Sequence, residues 1–321
     1  MVFVATLAVP AGAQDAVLAR GFDVPTWAFP NTARDVVAPK PPFDSVVALH
    51  VPRSSRSFTL AQVKNQLNPP DWFPASHAQA PDVVIHSRPA AKYACGFCHL
   101  PDGQGRSENA TIVGLPVEYF IRQVEDMASG ARHSAVTGWG PSARMGEIAQ
   151  ATTHAEAVEA ARYFGRMRAK ARYRVMEGST IPKTYEANGL YAARPGTDSE
   201  PLANRLIEMS TDIERHELRD SGETFIAFVP PGSIGRGRRI AASAPAKAVT
   251  RCATCHGADL KGAGAVPPLA GRSPAYILRQ LIGFRTGARA SATSAKMQLV
   301  ARELALDDMI AVAAYAGSRA P

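Results

Sequence analysis

The sequence contains little cysteine: four residues in 321, all of them within two five-residue segments. No thiol therefore remains for any other site. Long apolar runs are also absent, and no stretch reaches the roughly 18 residues that a membrane-spanning helix needs, which excludes an internal transmembrane helix. No nucleic-acid-binding motif occurs, so the formal charge of +8 indicates solubility and docking to an acidic protein or an anionic surface. The 46% hydrophobic and 20% charged residues are typical of a globular protein.

The two cysteine segments share one pattern, CxxCH. They read CGFCH at residues 95–99 and CATCH at residues 252–256. On a helix the two cysteines of such a motif stand at i and i+3 and the histidine at i+4, so all three lie on one face. Two thiols that can form thioether bonds with vinyl groups, beside an imidazole that can bind iron, indicate a c-type haem. We therefore predict two covalently bound haem c groups, one held by Cys95, Cys98 and His99 and one by Cys252, Cys255 and His256.

Two other uses of paired cysteines compete with this interpretation: one four-thiolate zinc site, or two disulfides. The pairs lie 157 residues apart, whereas the pairs of a structural zinc site are usually separated by about 15–20 residues. Neither alternative explains why a histidine follows both pairs. The haem interpretation is therefore favoured.

Composition divides the chain into five segments. Residues 1–13 are apolar and end in small residues, like the tail of a secretory signal peptide, which predicts a secreted, periplasmic protein. Residues 14–85 form a proline-rich N-terminal extension, expected to lie as a strap across a folded lobe. Residues 86–170 and 233–321 form two helical lobes, and residues 171–232 form a small β-containing insertion that joins them.

Local signals predict individual elements within these segments. Thr153 and Glu156 form a capping box that starts the last helix of the first lobe, and Ser273 caps a helix of the second lobe. The charged run at residues 212–220 is most simply interpreted as a solvated face. Three strand patterns fall in the insertion, at residues 173–175, 189–191 and 224–229.

The two lobes form an internal repeat with an offset of 157 residues. Within one short window, six residues of the first lobe are identical to their counterparts in the second. They are Tyr119, Arg122, Gln123, Gly130, Ala131 and Arg132, which correspond to Tyr276, Arg279, Gln280, Gly287, Ala288 and Arg289. The first lobe then carries five extra residues, after which an offset of 152 aligns the last helices. The repeat argues against a chance CxxCH in either half. Its arginines are candidates for pairing with haem propionates, and its tyrosines are interpreted as core residues.

The halves resemble class I cytochromes c, and the pair resembles the duplicated di-haem periplasmic cytochromes c. The second lobe carries the closer match, with CATCHG at 252–257, PPLAG at 267–271 and a methionine before the last helix. The resemblance implies a mainly α fold: two cytochrome c-like helical haem domains with a Pro-rich N-terminal extension and a small β-containing insertion between the domains. It also implies the axial ligand pairs of the two irons, His256 with Met297 and His99 with Met145.

The first lobe departs from the family pattern in two places. Leu100 stands where the second lobe has Gly257, and Ala110 stands where it has Pro267, the proline whose carbonyl usually orients the proximal histidine. A less rigid first site is therefore expected. The candidates for its distal ligand are Met127, Met145, Met167, His133 and His154. Met145 aligns with Met297 and is favoured, and His133 beside the five extra residues is the main rival.

A histidine and a methionine together saturate the iron and leave no open position for a substrate. The resemblance therefore implies an electron-transfer protein rather than an enzyme, carrying single electrons between a donor such as a dehydrogenase and an acceptor such as a terminal oxidase or another cytochrome. Three alternatives remain. A di-haem peroxidase needs one haem with an open distal side, a thiosulfate-oxidising cytochrome often uses a cysteine ligand, and a fixed subunit of a larger complex would dock through the extension and the insertion.

Overall fold

The computed structural model of the protein describes residues 21–31, 46–87, 89–187, 189–242 and 251–321. The segment 1–13, with the signal peptide predicted from it, lies outside the described residues. Helices make up both lobes, and seven strands lie between the lobes in the described part of the chain. Across these same ranges, no helix is both long and apolar enough to cross a membrane.

The first lobe folds around a small apolar core in which Phe120 stacks on Phe164. The predicted capping box is confirmed: Thr153 Oγ accepts from the Glu156 backbone N–H, and the Glu156 carboxylate accepts from the Thr153 N–H. Gly130, with a φ of 80°, follows the helix Val117–Ala128, the first long helix of the lobe. The helices of this lobe are α3 (Cys95–His99), α4 (Val117–Ala128), α5 (Gly140–Ala151) and α6 (His154–Gly165), after α1 (Leu60–Val63) and α2 (Asp82–Ile85) of the extension.

The second lobe has a larger core and one more long helix. Ser273 caps its central helix as predicted, and the same helix ends at Gly287 with a left-handed φ of 86°. Its first and last helices cross at Gly237, where a Cβ atom would stand 2.0 Å from the carbonyl oxygen of Ala311. The helices of this lobe are α8 (Ser233–Ala242), α9 (Cys252–His256), α10 (Pro274–Thr286), α11 (Ala295–Glu303) and α12 (Leu306–Gly317).

The helix boundaries follow the predicted repeat. Helix α5 matches the segment made by the 3₁₀ turn Ala292–Ser294 and α11, and α6 matches α12, both at the expected offset of 152 residues. Where the lobes meet, His133 N donates to Ala288 O and Ala290 N donates to Ala131 O, each at 2.8 Å. The two bonds join equivalent positions of the repeat, so the contact between the lobes has approximate twofold symmetry.

The insertion contains a five-stranded sheet of order β1-β7-β6-β4-β3 and a separate antiparallel pair, β2-β5. Strand β1 pairs with β7 in parallel, from Tyr173 opposite Phe225 to Glu177 opposite Val229. The three predicted strand patterns coincide with β1, β4 and β7, and the sheet is larger than those patterns imply. Its strands are β1 (Tyr173–Glu177), β2 (Thr180–Pro182), β3 (Thr184–Ala187), β4 (Leu190–Ala193), β5 (Ser199–Pro201), β6 (Ile207–Ser210) and β7 (Phe225–Val229).

The prediction that residues 212–220 form a solvated face is wrong for three of the nine residues, which are buried. Asp212 is exposed and caps the short helix α7 (Ile213–Glu217) through its carboxylate. By contrast, His216 is 1% exposed and Asp220 is 0% exposed. Asp220 pairs with Arg215 at 2.6 Å, and His216 contacts Glu223 at 2.9 Å. Buried ion pairs rather than solvent therefore satisfy these charges.

The extension lies across the first lobe and also against the insertion. Thr59 and Gln62 form a capping box at α1. Trp72 is 3% exposed, and its Nε1 donates to Leu218 O of the insertion at 2.7 Å. The Nδ1 of His77 in the extension and the Tyr163 hydroxyl of α6 share a hydrogen bond of 2.9 Å. The extension thus joins the first lobe to the sheet.

Candidate functional site

The two CxxCH motifs form equivalent one-turn helices, α3 and α9. All four cysteines are free thiols, which does not support the two disulfides. Burial raises the pKa of the Cys95 thiol to about 12 and also raises the pKa of Cys98 and Cys252, so these thiols are protonated at neutral pH. Within the described ranges no group of three or more His, Cys, Asp or Glu side chains could hold a metal ion, so the four-thiolate zinc alternative is not supported either.

Both motif histidines are oriented by a backbone carbonyl. The Nδ1 of His99 lies 2.8 Å from Ala110 O, and the Nδ1 of His256 lies 2.8 Å from Pro267 O. A carbonyl oxygen only accepts, so Nδ1 carries the proton and the lone pair of Nε2 is free to bind a metal. Burial lowers the pKa of both imidazoles, which keeps them neutral. The looser orientation expected of the first site, where alanine replaces proline, is not seen.

The first motif reaches this geometry with an unfavourable backbone. Leu100, directly after His99, has φ 66° and ψ 151°, close to the φ 81° and ψ 156° of its counterpart Gly257. This region is nearly restricted to glycine because a Cβ atom crowds the backbone there. Leu100 is 1% exposed, so burial of its side chain offsets the strain.

A cavity of about 540 Å³ adjoins the first motif. Cys95, Cys98 and His99 line it, and so do three of the five candidate distal ligands, Met145, Met127 and His133. Met145 is half-buried on α5, whereas His133 is exposed, with Nδ1 2.9 Å from Ser134 O. The other two candidates lie elsewhere: Met167 packs against the apolar core of the lobe, and exposed His154 lies 3.3 Å from Glu125.

Met297 occupies the equivalent position in the second lobe. It lies on α11, half-buried, and packs against the same core cluster as Cys252. Two thiols, an imidazole with a free Nε2 and a methionine thioether are the donor set that a covalently attached haem requires. The donors of both lobes therefore fit haem c, and in the first lobe the adjoining cavity falls in the usual size range of cofactor sites.

The repeated arginines, tyrosines and glutamines form one network where the lobes meet. Arg132 donates to Gln123 Oε1 of its own lobe at 2.8 Å and to Gln280 Oε1 of the other lobe at 2.9 Å. Arg289 mirrors it, donating to Gln280 at 3.2 Å and to Gln123 at 2.5 Å. Each arginine also contacts the tyrosine of the opposite lobe, Tyr276 or Tyr119. The two tyrosines are therefore polar partners at the interface rather than simple core residues.

This interface network also borders the first cavity. Arg132, Arg289 and both tyrosines line the cavity, as does Arg279, which donates to Ser107 O at 2.7 Å and lies over the Trp139 ring. Burial lowers the pKa of Arg279 and Arg289. These guanidinium groups are suitable partners for carboxylates such as propionates.

A second polar group on the cavity wall was missed by the sequence reasoning. Arg106 pairs with Glu108 at 3.0 Å, and Glu108 lies 3.6 Å from the buried His216 of the insertion. Arg219, also from the insertion, lies over the Phe97 ring at 3.5 Å and donates to Phe97 O at 2.5 Å. Burial alone raises the pKa of Glu108, but Arg106 and His216 more than offset this and hold it below its ordinary value.

Comparison with known proteins gives a direct match for the second lobe. Residues 236–318 match the family model described as Cytochrome c. The chain contains a cytochrome c domain. The resemblance indicated by the motifs is thereby confirmed, and the match spans the CATCH motif, Met297 and the last helix.

Curated relatives extend the similarity beyond this cytochrome c domain. The chain is 24% identical to Cytochrome c4 of Azotobacter vinelandii over 69% of this chain and 82% of that protein. It is 43% identical to the Thiosulfate dehydrogenase electron acceptor of Stutzerimonas stutzeri over 42% of this chain and 66% of that protein. The structure of reduced recombinant cytochrome c4 from Pseudomonas stutzeri is also similar, at 19% sequence identity and a TM-score of 0.47. The aligned part covers 70% of this chain and 93% of that one.

Proposed function

We propose that this protein is a periplasmic di-haem c-type cytochrome that transfers single electrons. Cys95 and Cys98 hold one haem and Cys252 and Cys255 the other, with His99 and His256 as proximal ligands. Met145 and Met297 are the distal ligands. The observation that carries this proposal is the repeated orientation of the two histidines, each with Nδ1 bound to an equivalent carbonyl and Nε2 free.

The chain's own groups account for the requirements of electron transfer. When bound, each haem supplies an iron centre that gains or loses one electron. The histidine is held rigidly by its carbonyl, which limits the rearrangement that accompanies a change of charge. A methionine thioether as the sixth ligand leaves no position for a substrate and favours the ferrous state. The arginines at the lobe interface, Arg132, Arg279 and Arg289, line the first cavity and would pair with haem propionates there.

The partners that fit this function are redox proteins. A relative named Thiosulfate dehydrogenase electron acceptor supports a carrier that receives electrons from a dehydrogenase. We propose that the carrier passes them to an oxidase or another cytochrome. Export to the periplasm follows from the covalent haem, because cytochromes c are matured outside the cytoplasm. Fractionation of the native host should place the haem-stained protein with periplasmic markers, and recovery with the cytoplasm would contradict the location.

Mass spectrometry of the denatured holoprotein tests the haem count. We expect two covalent haem additions in the unaltered chain. The paired variants Cys95→Ala/Cys98→Ala and Cys252→Ala/Cys255→Ala should each retain one, and each therefore serves as the control for the other. A mass with one haem or none in the unaltered chain would refute the proposal. Rapid binding of cyanide to the ferric protein would instead refute the saturated ligand set and favour a peroxidase-like enzyme.

A further inference from the structure

The insertion places a cation against the first CxxCH helix. Arg219 follows α7, adopts a φ of 57°, and its side chain is partly buried. Its guanidinium lies over the Phe97 ring, donates to Phe97 O and lines the same cavity as His99. In the described part of the chain no carboxylate forms an ion pair with Arg219. The charge is therefore held close to the motif without a counter-ion.

The neighbouring carboxylates, Glu108 and Glu217, act on Arg219 from a distance and form no ion pair with it in the described residues. Arg106 is neutralised by Glu108, with which it forms a 3.0 Å ion pair. Glu108 in turn faces His216, whose other nitrogen contacts Glu223. Burial and repulsion from Arg106 lower the pKa of Arg219 to about 9, which still leaves the guanidinium charged at neutral pH. Glu217 of the insertion also lines this wall, so the insertion brings one charge of each sign to the cavity, and of the two Arg219 contacts the motif helix.

The equivalent loop of the second lobe, residues 262–268, lacks this arrangement. The backbones of the two loops form the same hydrogen bonds. Ala263 and Val266 donate to each other's carbonyl oxygens in the second lobe, as Arg106 and Asn109 do in the first. The positions that correspond to Arg106 and Glu108 are Ala263 and Ala265. The loop fold is therefore shared, and the charged side chains that this loop presents to the insertion stand only at the first-lobe positions.

We propose that Arg219 tunes the first haem, raising its reduction potential above that of the second haem. Reduction lowers the charge of the iron centre by one unit, so a fixed positive charge nearby stabilises the reduced form. The low-dielectric surroundings strengthen this effect because water does not screen the charge. The insertion therefore makes the first site the better electron acceptor of the two. This inference rests on the proposed di-haem function.

Potentiometric titration of the holoprotein, followed in the visible spectrum, tests the proposal. The unaltered chain should give two one-electron waves, and the wave that Met145→Ala moves belongs to the first haem. Arg219→Gln should shift that wave to lower potential and leave the other in place. Arg219→Lys, which keeps the charge, should restore most of the shift. Arg194→Gln is the matched control, because Arg194 also lies over an aromatic ring and bonds a backbone carbonyl but does not line the cavity.

The outcomes separate this inference from the function on which it rests. Fewer than two waves in the unaltered chain would refute the di-haem function itself. Two waves that Arg219→Gln leaves unmoved, or that it moves equally, would refute only the role of Arg219. Equal shifts in Arg219→Lys and Arg219→Gln would show that packing rather than charge acts. If Arg219→Gln fails to bind its first haem, Arg219→Met, which keeps an apolar side chain over the Phe97 ring, replaces it: its first potential must lie below that of Arg219→Lys, and equal potentials would refute the proposal.

Discussion

Substituting Gly237 by alanine should weaken the second lobe, although alanine is the better helix former. The new Cβ would stand 2.0 Å from Ala311 O and 2.8 Å from the Tyr315 Cβ, and both are atoms that cannot rotate away. Helices α8 and α12 must then separate, which costs about 1–3 kcal/mol for overpacking of this kind. The higher helix propensity of alanine stabilises the helix by roughly 1 kcal/mol and offsets part of this cost. The net expectation is therefore a loss of up to about 2 kcal/mol of unfolding free energy.

The control for this experiment lies two residues earlier in the same helix. A Cβ on Gly235 would meet only the flexible end of Arg239, at 3.8 Å. Gly235→Ala should therefore raise the unfolding free energy by roughly 0.5–1 kcal/mol through helix propensity alone. Denaturant titration of the holoprotein, followed by helix circular dichroism, measures both variants. A Gly237→Ala protein at least as stable as Gly235→Ala would refute the close crossing of α8 and α12.

Three further predictions concern the first lobe and its surroundings. Met145→Ala should remove a sulfur-to-iron charge-transfer contribution from the ferric spectrum and lower one midpoint potential, while His133→Ala changes neither; the reverse result would make His133 the ligand. Arg132→Ala should lower the unfolding free energy by about 1–3 kcal/mol in denaturant titration, because the Tyr276 hydroxyl loses this charged donor and Gln123 and Gln280 keep only their bonds from Arg289, and a loss below about 1 kcal/mol would contradict the network. The side-chain bond with Asp71 raises the pKa of His77, so this contact stabilises the fold at low pH and the melting temperature should fall as pH rises above about 6.5. His77→Gln should flatten that dependence, and an unchanged slope would contradict it.

Local signals allowed much of the two lobes to be predicted. The cap at Thr153, the cap at Ser273 and the terminating Gly287 each act within one helical turn, so their effect can be read from adjacent residues. The CxxCH spacing likewise places its three groups on one helix face without any tertiary contact. The repeat offset then extended these local predictions from one lobe to the other.

The insertion could not be predicted in the same way because its structure depends on distant partners. Strand β1 pairs in parallel with β7, more than 50 residues away, and β6 is buried along its whole length. The run at residues 212–220 is polar by composition, yet His216 is buried because Glu108 and Glu223 come to it from other segments. Arg219 reaches the cavity for the same reason. The sequence offers one sign of this contact between the insertion and the first lobe: Arg106 stands where the second lobe has Ala263.

Arg132 and Arg289 each bind side chains of both lobes, and this has a consequence for how a single lobe would behave on its own. Each guanidinium uses the glutamine of its own lobe and that of the other, so the contact is isologous, as in a symmetric homodimer. The two lobes are therefore arranged like the two subunits of a homodimer, which agrees with the internal repeat of the sequence. A second lobe produced alone would expose Arg289 and Gln280 on a self-complementary surface, and we expect it to pair with another copy of itself.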